Sequence, residues 1–85
     1  MKDVMSFLSV SNSKVKQALL KQNRWNHLFD IQFIEKDGYQ CVLFKDHYDP
    51  EFSFRTSPIT GIVETHYLDF STVTIKTKNS EYVLF

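Results

Sequence analysis

The chain has little of what most function assignments from sequence rely on. In 85 residues it carries one cysteine, Cys41, two glycines and two prolines. A single cysteine excludes a disulfide framework within the chain. Two glycines cannot build a glycine-rich phosphate loop or a dinucleotide-binding turn, since each needs several. Scarce Gly and Pro also exclude the composition of a flexible linker. No stretch approaches the ~20 apolar residues of a membrane span, and the opening Met1–Leu8 segment lacks the apolar run of a secretory signal. Net charge is missing too. Ten basic residues balance ten acidic ones, and sequence-independent binding to nucleic acid needs a surplus of Lys and Arg to neutralise phosphates. These absences predict one domain over residues 1–85, cytoplasmic, without a membrane segment and without a cofactor.

Aromatic side chains are abundant. Eight Phe, four Tyr and one Trp make up 15% of the residues, enough to build a core in a chain this short. The balanced charge is also unevenly spread. Residues 1–27 hold Lys2, Lys14, Lys16, Lys21 and Arg24 against Asp3 alone, a net of +4, and residues 28–85 carry the compensating −4. The N-terminal third is basic and the remainder is acidic.

Hydrophobic periodicity divides the chain in the same way. Val15, Ala18, Leu19 and Gln22 recur at helical spacing, with Ser11-Asn12-Ser13 in front as a capping segment, which predicts a helix over about Ser13–Trp25. Val4, Met5 and Leu8 suggest a short helix before it, although Phe7, Leu8 and Val10 also suit a strand. From Leu28 the period becomes two. Phe29, Ile31 and Phe33 run up to Asp37-Gly38, a strong hairpin signal, and that turn places Phe33 opposite Val42 and Ile31 opposite Phe44. His47–Phe52, with Pro50 inside it, reads as an exposed acidic loop. A second β unit follows. Its turn at Lys78-Asn79 pairs Ile75 with Tyr82, Val73 with Leu84 and Lys76 with Glu81, keeping apolar pairs on one face and an opposite-charge pair on the other. The fold class expected is α+β, with one or two N-terminal helices packed on a five- or six-stranded antiparallel sheet.

No catalytic or metal-binding signature emerges. His27, His47 and His66 stand far apart and outside metal-ligand spacing. Cys41 sits in the apolar run Tyr39–Phe44 and reads as a small buried hydrophobe. Asp46, Asp49 and Glu51 fall in one loop but lack the spacing and glycine of a calcium loop. They read as a solvated acidic surface, or as one that docks on a basic partner. Lys14, Lys21 and Arg24, with Trp25 available for stacking, form the one group suited to nucleic acid.

Near the C-terminus, Phe54-Arg55-Thr56-Ser57-Pro58-Ile59 is followed by Thr77-Lys78-Asn79-Ser80-Glu81-Tyr82. Over residues 54–85 this resembles a recurrent ending, aromatic-x-Thr-Ser and then Thr-x-Asn-Ser-x-Tyr, in small accessory proteins of bacteriophages and mobile elements. Phe54 stands where such proteins often have Trp. The short polar residues in both segments suit turns for backbone reasons. The resemblance implies a non-enzymatic protein that binds and inhibits or modulates a host protein in a bacterial cell, including a defence nuclease as in anti-CRISPR and anti-restriction proteins. Asp46, Asp49 and Glu51 would then steer towards a basic surface, with Tyr48 and Phe52 as anchors. The alternative is a small nucleic-acid-binding regulator using Lys14, Lys21 and Arg24. A third reading is an assembly component that pairs through the edge of the strand ending at Phe85.

Overall fold

The computed structural model describes residues 1–85, and its N-terminal segment departs furthest from the sequence pattern. Residues 4–10 form two short strands, β1 (Val4–Met5) and β2 (Phe7–Val10), in place of a helix. The pairing of β2 slips between Phe7 and Ser9, so Leu8 is an extra residue in the strand. That bulge buries Phe7 and Val10, three apart, and leaves Leu8 exposed. A bulged strand therefore imitates the spacing of a helix.

One helix is present, α1 (Ser13–Lys21). Asn12 caps it, its Oδ1 accepting from the Lys14 and Val15 amides at 3.0 and 3.2 Å. It stops four residues short of Trp25. Asn23 turns left-handed at φ 56°, the Asn23 amide bonds the Leu20 carbonyl at 3.1 Å and the Arg24 amide bonds the Leu19 carbonyl at 2.8 Å. This is a Schellman ending, and Asn tolerates the positive φ it requires.

The remaining strands are β3 (Phe29–Lys36), β4 (Tyr39–Asp46), β5 (Ser53–Arg55), β6 (Ile59–His66), β7 (Ser71–Thr77) and β8 (Glu81–Leu84). They form two four-stranded antiparallel sheets, ordered β1-β3-β4-β5 and β2-β8-β7-β6. Strand accounts for 52% of residues and helix for 11%. The expected arrangement of one or two helices on a single five- or six-stranded sheet is therefore replaced by a sheet-on-sheet protein with one short helix. The physical reason lies at two corners. Ser6 carries the chain from β1 in one sheet to β2 in the other, exchanging backbone bonds with Phe85 at 2.9 and 3.0 Å. Thr56–Pro58 does the same between β5 and β6. A strand that changes sheets lets both inner faces share one core.

The local registers agree with the sequence pattern. Ile31 faces Phe44, Phe33 faces Val42, and Ile75, Val73 and Lys76 face Tyr82, Leu84 and Glu81. Strand β8 lies between β2 and β7, so the strand ending at Phe85 has no free edge. The turn residues of the C-terminal segment tie the second corner. Thr56 Oγ1 accepts from the Val42 amide at 3.1 Å, Ser57 Oγ accepts from the Asn79 amide at 3.1 Å, and Thr77 Oγ1 donates to the Ser80 carbonyl at 2.9 Å. No helix is long and apolar enough to cross a membrane.

The first hairpin offers a direct check on its turn. Asp37 and Gly38 both have positive φ, 54° and 83°, as a two-residue primed turn demands. A Cβ on Gly38 would meet nothing within 4 Å, so only the backbone opposes a side chain. Gly38→Ala should lower stability by about 1 kcal/mol, measured by urea denaturation.

Candidate functional site

The most developed polar cluster forms where the end of α1 meets the end of the first hairpin. Counting from the Asp37-Gly38 turn, the register closes with Phe29 opposite Asp46. Asp46 therefore shares the inward face of Val42 and Phe44, and it is 0% exposed. A carboxylate in that position needs partners. The Schellman ending of α1 supplies one by turning the chain so that Arg24 meets it.

The partners saturate the carboxylate. Arg24 Nη1 donates to Asp46 Oδ2 at 2.8 Å, and His27 Nδ1 lies 2.7 Å from the same oxygen. An ionised carboxylate only accepts, so His27 Nδ1 carries the hydrogen. The Tyr48 amide donates to Asp46 Oδ1 at 2.9 Å. Burial works to raise the Asp46 pKa, but the hydrogen bonds from His27, Arg24 and the Tyr48 amide outweigh it and hold the carboxyl below its ordinary value. Arg24 also donates through Nη2 to Asp49 Oδ2 at 2.9 Å, and its guanidinium stands 4.2 Å from the Phe52 ring centroid. Its bonds to Asp46 and then Asp49 raise its own pKa.

The same cluster closes the loop from His47 to Phe52. The Asp46 amide bonds the Phe52 carbonyl, the Phe52 amide bonds the Asp49 carbonyl and the His47 amide bonds the Leu28 carbonyl, each at 2.9 Å. His47 Nδ1 lies 3.0 Å from Asp30 Oδ1. At the top of this base the Tyr48 ring stands edge-on to His27 at 5.1 Å and to His47 at 5.6 Å. Tyr48 is 62% exposed.

The residues expected to bind a partner thus fall into two groups. Tyr48 and Glu51 are exposed, and Asp49 is half-buried with its carboxylate bound to Arg24. Asp46 is sealed beneath them, and Phe52 is partly buried against the core. Those two, with Asp49, hold the loop and leave the contact surface to Tyr48 and Glu51. The basic group also divides. Lys14 and Lys21 remain exposed on α1, whereas Arg24 is bound to Asp46 and Asp49. Trp25 packs against Phe7, with the Lys16 ammonium 5.5 Å over its ring. Cys41 is a buried free thiol.

His27 is the member that the sequence pattern did not single out. Its signal was indirect. Extending the hairpin register to its last pair puts the Asp46 carboxylate on the core side across from Phe29, which lies two residues after His27 and five after Arg24.

No family description, curated protein or solved structure matches the chain in the three comparisons made.

Proposed function

We propose that the chain is a non-enzymatic protein-binding module that inhibits or modulates a host protein, docking through the loop around Tyr48. This keeps the setting implied by the C-terminal resemblance: a small phage or mobile-element protein acting in the bacterial cytoplasm, with a defence nuclease among its candidate targets. The observation that carries the reading is the mounting of Tyr48. A large exposed aromatic ring stands nearly perpendicular to two histidine rings, 5.1 and 5.6 Å away, one of which holds a saturated, buried carboxylate. A ring fixed in this way loses little freedom on binding, which is what an interface anchor requires. Exposed Glu51 stands beside it and favours a basic surface on the partner, while Asp49, paired with Arg24, fixes the loop between them.

The test is capture from a bacterial host lysate with tagged protein, with and without nuclease. A stoichiometric protein partner should survive nuclease, and Tyr48→Ala should reduce its retention by about tenfold or more. The Lys14→Ala, Lys21→Ala double variant should retain it fully. Loss of the partner after nuclease, together with loss in the lysine variant, would instead support the nucleic-acid reading.

A further inference from the structure

Strand β6 (Ile59–His66) lies at the outer edge of its sheet and bonds only β7. None of the backbone hydrogen bonds made outside regular elements involves Ile59–His66. One edge of an eight-residue strand is therefore left without a backbone partner. Edges are usually guarded by Lys, Pro, a bulge or a covering loop. The strand contains no Lys, Arg or Pro, and its one register shift lies at the start, between Ile59 and Gly61. The stretch from Ile62 to His66 is regular. Ile62 and Val63 are 45% and 47% exposed, one on each face.

The turn at the end of the strand fixes which groups face outwards. The Tyr67 amide bonds the Phe70 carbonyl at 2.7 Å, making Tyr67 and Phe70 a hydrogen-bonded pair. Such pairs alternate along an antiparallel ladder. Thr65 and Val63 therefore direct their backbone groups to Thr72 and Thr74 on β7. Ile62, Glu64 and His66 direct theirs away from the sheet.

We propose that β6 is a homodimer interface, in which two copies of the chain pair antiparallel about a two-fold axis at Val63. This register places Ile62 opposite Glu64 twice, and each pair exchanges two hydrogen bonds. Val63 then faces its own symmetry mate at a non-hydrogen-bonded position, where side chains approach most closely. No like charges face each other. The Val63 axis brings two exposed apolar side chains together, whereas an axis at Glu64 would bring together two carboxylates, each held by its own chain's N-terminal ammonium at 3.0 Å. The two sheets join into one eight-stranded sheet. A second copy is the fitting occupant because the outward backbone groups of Ile62 and Glu64 on one copy meet those of Glu64 and Ile62 on the other while exposed Val63 meets its own mate. This interface is independent of the Tyr48 loop.

Sedimentation of the intact chain over a concentration series tests the proposal. The expected result is a reversible dimer. Val63→Lys puts two ammonium groups across the axis and should weaken dimerisation by at least about tenfold, with an unchanged circular dichroism spectrum. Val63→Cys should form an intermolecular disulfide on mild oxidation, and Ile62→Cys, which faces Glu64, should not. A monomer at every concentration overturns the proposal. So does a dimer indifferent to Val63→Lys, or cross-linking through Ile62→Cys in place of Val63→Cys.

Discussion

Phe7→Ala is expected to bring the protein close to unfolding at 37 °C. Phe7 sits on the short strand after the Ser6 corner and is 2% exposed. Its ring lies 5.0 Å from both Phe29 and Phe44 and 6.1 Å from Phe54, all in the first sheet, and 6.3 Å from Tyr82 in the second sheet. It also stacks on Trp25 beyond the helix at 6.3 Å. Truncation opens a cavity bordered by both sheets, where neither can collapse without dragging the other. Phe→Ala changes in cores cost about 3–5 kcal/mol, and an ordinary domain has only about 5–15 kcal/mol in total. At about 4–8 °C per kcal/mol for a domain of this size, the melting temperature should fall by roughly 15–30 °C. Leu8→Ala is the matching control. A helical residue in the Val4, Met5, Leu8 stripe would be core, whereas the bulged strand leaves Leu8 exposed, so its replacement should change stability by no more than about 0.5 kcal/mol. A large loss at Leu8 with a small one at Phe7 would contradict the strand assignment. Thermal denaturation followed by circular dichroism decides between them.

Asp46→Asn should be the most damaging polar substitution, and its effect should depend on pH. Asp46 Oδ1 takes the Tyr48 amide, and Oδ2 takes Arg24 and His27. An asparagine has one acceptor oxygen, so either the Tyr48 amide or the Arg24–His27 side is left facing an amide NH2 group. Removing one member of a buried, hydrogen-bonded set costs about 2–3 kcal/mol at neutral pH. The sign of the pH effect follows from the depressed native pKa. The carboxylate's contribution is complete above the unfolded aspartate value, about 4. It is lost as pH falls through the lower native value. Urea denaturation at pH 7 should therefore show a wide gap between wild type and Asp46→Asn. The gap should close progressively in strong acid, because only the wild type has a proton to gain there. A gap constant with pH would mean that the aspartate acts through shape alone.

The two substitutions also mark the limits of reading the chain by pattern. The registers of β3 on β4 and of β7 on β8 were legible because a two-residue turn sets the pairing of everything on either side of it. Asp37-Gly38 fixes Ile31 against Phe44, and Lys78-Asn79 fixes Ile75 against Tyr82. The helix start was legible at Asn12. Its end was not, because Asn23 in an αL ending looks like any polar residue in a helix. The loop His47–Phe52 was legible as an exposed acidic segment, but not its division of labour. Asp46 reads as the first acid of a solvated loop until the hairpin register is carried to its last pair, which turns it inwards. Arg24 reads as one more cation on a basic helix, although its partners lie 22 and 25 residues further along the chain.

The sequence by itself determined the hairpin of β3 and β4, that of β7 and β8, their two turns and registers, and the start of the one helix. These depend on neighbours within a few residues, where turn chemistry and a period of two or 3.6 act directly on the backbone. Strand β5 and the register of β6 on β7 came from the structure. Only the tertiary structure decided that the strands divide into two sheets, that residues 4–10 cross between them, that Asp46 holds Arg24 and His27 from below, and that β6 keeps an open edge. Each of these depends on groups far apart in the chain, brought together by the shared burial of Phe7, Phe29, Phe44 and Tyr82. Hydrophobic burial has no direction along the sequence, so no local pattern could announce where it would join them.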